Sequence, residues 1–282
     1  SSIRKINGRY YFVYSSVKGH ELCYAVSDRP DEGYTYGGVV VDNADIFEGD
    51  PNRQEGVMAQ GNNHGGIEEA NGQWYVFYHR QTDRGSFSRQ ACAEKIFFDS
   101  QGRIRQAEIT SCGLNDGPLA GEGVYPANIC CHLSQGGKTT FSHPMAMGEN
   151  FPYLTQDEKD ITPEDVGFPE SARRDAAFPV QFVRNFKDQS IMGFKYFDCR
   201  GLKRAGLTLR GKAEGTIVVS TVPLTAENSD PAAVIGEISV DVNTEQWTTV
   251  SGEVNLADGV WALYFTGKGL TGPLDIAQIE LG

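Results

Sequence analysis

The sequence predicts an all-β protein in which blades of a β-propeller are followed by a β-sandwich. The main observation is a repeat: residues 7–14, NGRYYFVY, return as residues 71–78, NGQWYVFY. Each copy is an Asn-Gly turn followed by an aromatic and β-branched strand, which is the pattern of a propeller blade. After residue 180, short strands at regular spacing are typical of a sandwich. No long run of residues has helical periodicity.

The composition limits the partners. The chain has 282 residues, which suits two domains, and a formal net charge of −12 at pH 7. Nucleic acids and anionic membranes attract proteins through basic patches, so we expect neither as a partner. The charge is compatible with a neutral ligand such as a sugar. No apolar stretch is long enough to span a bilayer.

The six cysteines show neither zinc-ligand spacing nor a CxxC pattern. Cys130 and Cys131 are adjacent on an apolar segment, so we predict buried free thiols rather than a disulfide. The cysteines leave the redox compartment open, and a secreted or periplasmic location is favoured over a cytoplasmic one.

Residues 1–133 are predicted to form propeller blades. In the first repeat, strands are predicted at Ile3–Ile6, Tyr10–Tyr14, Leu22–Val26 and Gly38–Val41. In the second repeat, they are predicted at Val57–Gln60, Gly65–Glu69, Trp74–His79, Gln90–Phe98 and Ile104–Glu108. Asp99–Gly102 has the composition of a hairpin turn. Asn128–Leu133 is an apolar strand, and we expect it to close the ring by pairing with the first blade.

Residues 134–179 are predicted to be a linker or extended segment, since glycine, proline and charged residues accumulate there. At most one or two helical turns are expected near Pro169–Ala176. Residues 180–282 are predicted to form a jelly-roll-like β-sandwich. Its strands are predicted at Gln181–Asn185, Leu207–Leu209, Thr216–Thr221, Val234–Val240, Trp247–Val254, Val260–Thr266 and Leu274–Leu281.

Three segments connect the first part of the chain to a known family. They are residues 1–16, SSIRKINGRYYFVYSS, residues 61–66, GNNHGG, and residues 87–96, FSRQACAEKI. In combination they resemble the late blades of the five-bladed β-propeller of glycoside hydrolase family 43. The resemblance implies an exo-acting α-L-arabinofuranosidase or β-xylosidase that acts on arabinoxylan-type plant polysaccharide.

Residues 180–282 are similar to the sandwich modules of carbohydrate-binding family 6, through Asp258–Phe265 and Pro273–Leu281. Sugar sites of that family present aromatic residues and an Asn from loops at one edge, whereas the loop Gly267–Pro273 has neither. A structural role is therefore at least as expected as sugar binding. The aromatic residues to consider are Trp247, Trp261, Tyr196 and Tyr264.

The chemistry of family 43 inverts the anomeric carbon. An Asp general base activates water, a Glu general acid protonates the leaving oxygen, and a second Asp tunes that acid. In inverting enzymes the base and the acid stand about 6.5–9.5 Å apart. The resemblance places the Glu just before Ser1 and both Asp residues further upstream. We therefore expect the catalytic carboxylates and the early blades to precede this sequence.

Two other functions remain open at this point. One is a non-catalytic carbohydrate-binding protein or an inactive fragment, because the three carboxylates are absent from the sequence. The other is an invertase-like propeller hydrolase. Because two blades cannot close a ring, we also expect residues 1–133 alone to aggregate unless the missing blades or self-association cover the open sheet edges.

The resemblance implies two main site residues. A His at the position of His64 points into the central channel of the family's propeller and binds calcium or an ordered water, although calcium prefers oxygen ligands. An Arg at the position of Arg89 hydrogen-bonds sugar hydroxyls, for which a guanidinium fork is suited. The alternatives are a core histidine bonded to backbone groups and a strand arginine paired with Glu94 or Asp99.

Further candidates flank these two residues. His79 and Arg80 either line the cleft or make polar contacts at the end of their strand. Phe87 either packs against the C–H face of a sugar or lies in the core. Three carboxylates have no partner for acid–base chemistry and are predicted at the solvated surface: Glu68, Glu69 and Glu94.

Overall fold

The regular structure is almost wholly β-strand, as predicted. Among the residues that the structure describes, two short 3-10 helices occur, at Ala127–Ile129 and Pro231–Ala233. In the described part of the chain, no helix has the length and apolar character needed to cross a membrane. The computed structural model describes residues 1–84, 88–139, 150–155 and 181–282.

The first repeat forms a four-stranded antiparallel sheet whose strands follow one another in sequence order. Asn7 and Gly8 join the first two strands with φ angles of 48° and 86°, the left-handed backbone that a two-residue hairpin turn requires. Tyr11 and Val13 on the second strand are buried. The strands are β1 (Ser2–Ile6), β2 (Arg9–Ser15), β3 (Glu21–Ser27) and β4 (Thr35–Asp42).

The second repeat forms a three-stranded antiparallel sheet, and a two-stranded sheet follows it. Asn71 and Gly72 make the same left-handed turn, with φ angles of 52° and 80°. The predicted strand Gln90–Phe98 is divided in two, and Val57–Gln60 is not a strand. The strands are β5 (Gly66–Ala70), β6 (Gln73–Gln81), β7 (Arg89–Lys95), β8 (Phe97–Phe98) and β9 (Ile104–Arg105).

The two repeats share one hydrophobic core. Tyr24, Ile67 and Ile96 are among its fully buried side chains. The predicted turn between β8 and β9 is attached to the first repeat, because the Tyr11 hydroxyl donates to the Gly102 carbonyl at 2.7 Å. The Ile104 amide likewise donates to the Tyr24 hydroxyl at 2.9 Å.

The rest of the described chain forms a ten-stranded sheet with a core of its own. The order β10-β15-β18-β16-β19-β14-β13 runs across it, with β17 paired to β16, β11 to β19 and β12 to β15. The strands are β10 (Leu119–Ala120), β11 (Gly123–Pro126), β12 (His132–Gln135), β13 (Tyr153–Thr155), β14 (Phe182–Phe186), β15 (Ser190–Cys199), β16 (Arg204–Ser220), β17 (Val234–Glu253), β18 (Gly259–Lys268) and β19 (Leu274–Leu281).

The strands of this sheet differ from the prediction in three ways. The short strands β10, β11 and β13 were not predicted. β16 and β17 each run without interruption through two predicted strands. β15 was not predicted at all, because residues 190–195 are buried on both faces and so lack the alternation that marks a half-buried strand. The helical turns expected near Pro169–Ala176 lie outside the described residues.

The segment expected to close the propeller pairs elsewhere. Asn128–Leu133 leads into β12, which is antiparallel to β15 of the ten-stranded sheet rather than to the first blade. The reason is burial: Cys130 and Leu133 belong to the core that contains Phe194. Cys130 and Cys131 are buried free thiols, as predicted. The domain boundaries at residues 133 and 180 stay a prediction.

A buried ion network joins the two parts of the molecule. Lys195 on β15 reaches across to the Asp45 carboxylate at 3.1 Å and the Glu108 carboxylate at 2.8 Å. Burial alone would lower the pKa of Lys195, but the electrostatic effects of Cys131 and of these two carboxylates together outweigh burial and raise it. Tyr196 adds a hydrogen bond from its hydroxyl to Glu108 at 3.0 Å. The ammonium is therefore charged, and the network fixes the junction.

Candidate functional site

The loop before β5 is held by backbone contacts on both sides. The Asn63 amide donates to the Gly19 carbonyl at 2.7 Å, and the Asn63 side chain donates to the His20 carbonyl at 3.2 Å. A Cβ atom at Gly65 would lie 1.9 Å from the Phe77 carbonyl oxygen, so only glycine permits this approach. These contacts fix the position from which His64 projects.

Three of the predicted site residues come together beside this loop. The His64 and His79 rings stack, with centroids 5.3 Å apart and planes 19° from parallel. Arg89 Nε donates to His79 Nε2 at 3.2 Å. Because Nε2 accepts, the neutral His79 ring carries its proton on Nδ1. The pairing of the strands brings them together, since His79 lies two residues before the end of β6 and Arg89, at the start of the neighbouring β7, stands opposite Gln81.

The electrostatics of this cluster favour a neutral His79. Burial is the main cause that lowers its pKa, and the Arg89 and His64 charges lower it further. Burial also lowers the pKa of Arg89. The predicted alternative partners of Arg89 are engaged elsewhere, because Glu94 bonds Thr110 and Asp99 bonds Arg103. The cluster thus presents a half-buried guanidinium that no described carboxylate neutralises.

Arg80 faces away from this cluster. Its guanidinium is buried and donates to the Cys130 carbonyl at 2.5 Å, to the Asn128 carbonyl and to the Gln90 side chain at 2.8 Å. Arg80 therefore ties the second repeat to the segment that leads into the ten-stranded sheet, and of its two predicted roles the structure shows polar contacts rather than a cleft lining. Phe87 lies outside the described residues.

Glu94 is not at the solvated surface, so that prediction was wrong. Its residue is only 4% exposed, because it stands opposite Val76 on the core side of β7. The Thr110 amide and hydroxyl both donate to its carboxyl at 2.7 Å. Burial raises the pKa of Glu94 to about 8. Glu68 and Glu69 are exposed, and Glu68 forms an ion pair with Arg4.

Sequence reasoning missed a buried cluster behind the loop. His20 Nδ1 lies 2.9 Å from Asp42 Oδ2, and Glu21 accepts from Lys18 Nζ at 2.9 Å. The hydrogen bond with Asp42 is the main cause that raises the pKa of His20. The ligand-type atoms of His20, Glu21 and Asp42 all lie within 4.8 Å of one another, so these three side chains could hold a cation. Only the pairing of β3 with β4 brings them together, and no local motif marks it.

The calcium ion predicted at His64 lacks its preferred ligands among the described residues. Calcium is usually bound by six to eight oxygen atoms. The contacts of the His64 ring are the Asn62 carbonyl at 3.1 Å and the His79 ring. We therefore derive no step from calcium at this position.

The candidate aromatic residues of the ten-stranded sheet make contacts within the protein. Arg210 stacks over Trp247 at 4.4 Å, and Asp275 bonds both Arg210 and Arg184. Arg184, Arg210 and Asp275 line a groove of about 840 Å³ that reaches Pro273 at the end of the loop Gly267–Pro273, and Trp247 is not among its lining residues. Tyr264 is buried, Tyr196 belongs to the junction, and the Trp261 indole donates to the Ala257 carbonyl.

No protein-family model matches the chain. The chain is 43% identical over 271 residues to a protein named xylosidase/arabinosidase from Thermoclostridium stercorarium. The match covers 95% of this chain and 52% of that protein. The chain therefore spans about half the length of this relative.

Three solved structures align with the chain, each with a TM-score below 0.5. A glycoside hydrolase family 43 arabinoxylan arabinofuranohydrolase from Bacillus subtilis, in complex with cellotetraose, aligns with a TM-score of 0.49 and 17% identity over 99% of this chain and 53% of that chain. A family 6 carbohydrate-binding module from Clostridium stercorarium, in complex with cellobiose, aligns with a TM-score of 0.39 and 12% identity. This alignment covers 59% of this chain and 98% of that chain. A calcium-free family 43 β-xylosidase/α-arabinofuranosidase from a compost metagenome, in complex with xylotriose, aligns with a TM-score of 0.29 and 28% identity. This alignment covers 37% of this chain and 28% of that chain.

Proposed function

We propose, because 95% of this chain aligns at 43% identity with a protein named xylosidase/arabinosidase, that the protein is an exo-acting glycosidase of glycoside hydrolase family 43. It removes α-L-arabinofuranosyl or β-xylosyl units from arabinoxylan-type polysaccharide, with inversion at the anomeric carbon. The observation that carries the proposal is the cluster of His64, His79 and Arg89, which the structure brings together at a glycine-lined loop.

In this proposal Arg89 binds the sugar. Its Nε is held by His79 and its Nη1 by the Ser88 carbonyl at 2.9 Å, so the plane of the guanidinium is fixed before substrate arrives. A fixed fork of N–H donors suits paired hydroxyls. A neutral His79 supports this role, because a second positive charge beside Arg89 would weaken the hydrogen bond that orients it.

We propose that the general acid and the general base are supplied by sequence that precedes Ser1. Glu21 and Asp42 in the His20 cluster are buried and bonded to Lys18 and His20, so we assign neither to acid–base work. Inversion requires two carboxyl groups about 6.5–9.5 Å apart, with room for water between them. Arg89 and His64 would then form one wall of a site completed by those carboxylates.

The test compares the longest protein that the gene encodes with this 282-residue chain. We expect the longer protein to hydrolyse 4-nitrophenyl α-L-arabinofuranoside or β-D-xyloside, and proton NMR to show the inverted anomer first. Arg89→Gln should lower kcat/KM by about 10–100-fold, the value of one hydrogen bond to a charged group. Arg9→Gln, at an exposed arginine of the first repeat, is the matched control. Hydrolysis of neither substrate, or retention of configuration, would overturn the proposal.

A second candidate is a non-catalytic carbohydrate-binding protein. It is favoured by one observation: none of the described carboxylates is assigned to acid–base work, whereas a binding cluster is present. Calorimetry of the 282-residue chain with arabinoxylan oligosaccharides distinguishes the two, because this candidate requires binding together with inactivity of the longer protein. Absence of heat with every oligosaccharide would reject it.

A further inference from the structure

A cavity of about 460 Å³ lies at the junction between the second repeat and the ten-stranded sheet. Phe97 and Arg105 line it from β8 and β9, Glu108 and Thr110 from the segment that follows, and Tyr196 from β15. Its size is within the range of small-molecule sites. His64, His79 and Arg89 are not among its lining residues, so the junction cavity is separate from the candidate site.

One wall of the junction cavity combines an apolar face with a cation. Phe97 and Arg105 stand directly opposite each other in the antiparallel pair β8–β9, so both side chains project from the same face. Phe98 and Ile104, on the other face, pack into the core. Phe97 is 56% exposed. Within the described ranges, the exposed Arg105 guanidinium has no hydrogen-bond or ion-pair partner.

The junction cavity also presents a fixed acceptor, Glu108. The Glu108 carboxylate receives Lys195 Nζ at 2.8 Å and the Tyr196 hydroxyl at 3.0 Å, and 36% of its side chain is still exposed. Burial would raise the pKa of Glu108, but the Lys195 charge and these hydrogen bonds outweigh it and lower the pKa. Glu108 is therefore ionised, and its orientation does not depend on a ligand.

We propose that the junction cavity binds a short neutral saccharide of one or two sugar units. The C–H face of a sugar packs on Phe97, while neighbouring hydroxyls accept from Arg105 and donate to Glu108. An exposed aromatic ring beside a guanidinium fork and a carboxylate has this complementarity. The choice of a saccharide rests on the proposed function, whereas the site rests on the geometry.

Calorimetry of the 282-residue chain with xylobiose and with arabinobiose tests the proposal. We expect one of them to bind with a Kd on the order of 1 mM. Phe97→Ala and Arg105→Gln should each raise this Kd at least tenfold. The matched controls are Phe77→Ala and Arg103→Gln, which change an exposed phenylalanine and an exposed arginine outside the cavity and should leave the Kd unchanged. Thermal melts confirm that each variant is folded.

His64→Ala separates this site from the candidate site. Binding that survives in His64→Ala and is lost in Phe97→Ala places the saccharide at the junction. Equal binding by Phe97→Ala and the unaltered chain, loss of binding in His64→Ala, or no heat at ten times the expected Kd would each overturn the proposal. Inactivity of the longer protein with Phe97-dependent binding intact would reject only the proposed function.

Discussion

The two repeats have the same turn and strand but differ in the two residues that follow the repeated sequence. Both Asn-Gly turns have the same left-handed φ angles, and both lead into an aromatic strand. The repeated residues are followed by Ser15 and Ser16 in the first repeat and by His79 and Arg80 in the second. The repeated residues thus build the scaffold, and the two positions after them carry the differences in chemistry.

Those two positions give the repeats different tasks. The Ser15 hydroxyl donates to the Asn63 carbonyl at 2.7 Å, so the first repeat holds the loop that presents His64. In the second repeat His79 joins the candidate site, while Arg80 attaches the sheet to the segment beyond it. The first repeat therefore holds the loop of the candidate site in place, and the second repeat contributes the His79 and Arg89 side chains.

The largest expected effect tests how the loop is attached to the second repeat. Gly65→Ala places a Cβ atom 1.9 Å from the Phe77 carbonyl oxygen, and we expect the free energy of unfolding to fall by about 3 kcal/mol or more. Gly72→Ala is the control, because its Cβ meets no atom within 4 Å and only the left-handed backbone costs about 1–2 kcal/mol. Equal losses in urea unfolding would contradict this account.

The next effect concerns Glu94, the buried carboxyl group on β7 of the second repeat. Its pKa of about 8 exceeds the ordinary 4.5, so its contribution to stability is full below pH 4.5 and is lost as the pH rises to about 8. Glu94→Gln should remove this loss. At pH 9 the free energy of unfolding of the variant should therefore exceed that of the unaltered chain by on the order of 3 kcal/mol. The free energy of unfolding at pH 5, 7 and 9 measures it. Glu69→Gln, at an exposed carboxylate, should show no such trend.

A smaller effect tests the attachment made by Arg80. Arg80→Met leaves the Cys130 carbonyl without its donor and the Asn128 carbonyl with the Gln90 side chain alone, and we expect a loss of about 2 kcal/mol in the free energy of unfolding. Arg103→Met, which breaks an exposed ion pair with Asp99, should cost less than about 0.5 kcal/mol. A loss no larger than the control's would mean that Arg80 does not hold the segment.

The smallest effect tests the electrostatics of the candidate site. Arg89→Gln removes one of the positive charges that lower the pKa of His79, so this pKa should rise. Histidine NMR titration measures the shift. Lys95→Gln, on the same strand but paired with Asp116, should leave the His79 titration unchanged. An unchanged pKa in Arg89→Gln would contradict the contact between the two side chains.

The sequence predicted those parts of the fold that depend on local patterns. The Asn-Gly turns fixed the hairpins of both repeats, and the glycine pair after His64 marked a close backbone approach. β15 was missed because a strand buried on both faces has no alternation, and a continuous apolar run does not identify a strand by itself.

The candidate site was predicted only in part, for similar reasons. His79 and Arg80 were considered together, although neighbouring residues on a strand point to opposite faces, so at most one could face the cluster. His20 and Asp42 were missed because they meet only through the pairing of β3 with β4. Glu94 was placed at the surface because charge, taken alone, is a poor guide to burial when a neighbouring segment supplies donors.

The way β11 and β12 join the ten-stranded sheet has a consequence for limited proteolysis. β11 pairs with β19 and β12 with β15, so strands before residue 136 complete a sheet built largely from residues after 181. A single peptide-bond cleavage between those positions would therefore leave two fragments that co-elute under native conditions and separate only in denaturant. Their joint elution would mimic an uncut chain. An exchange of modules at residue 133 would likewise divide a sheet rather than a linker.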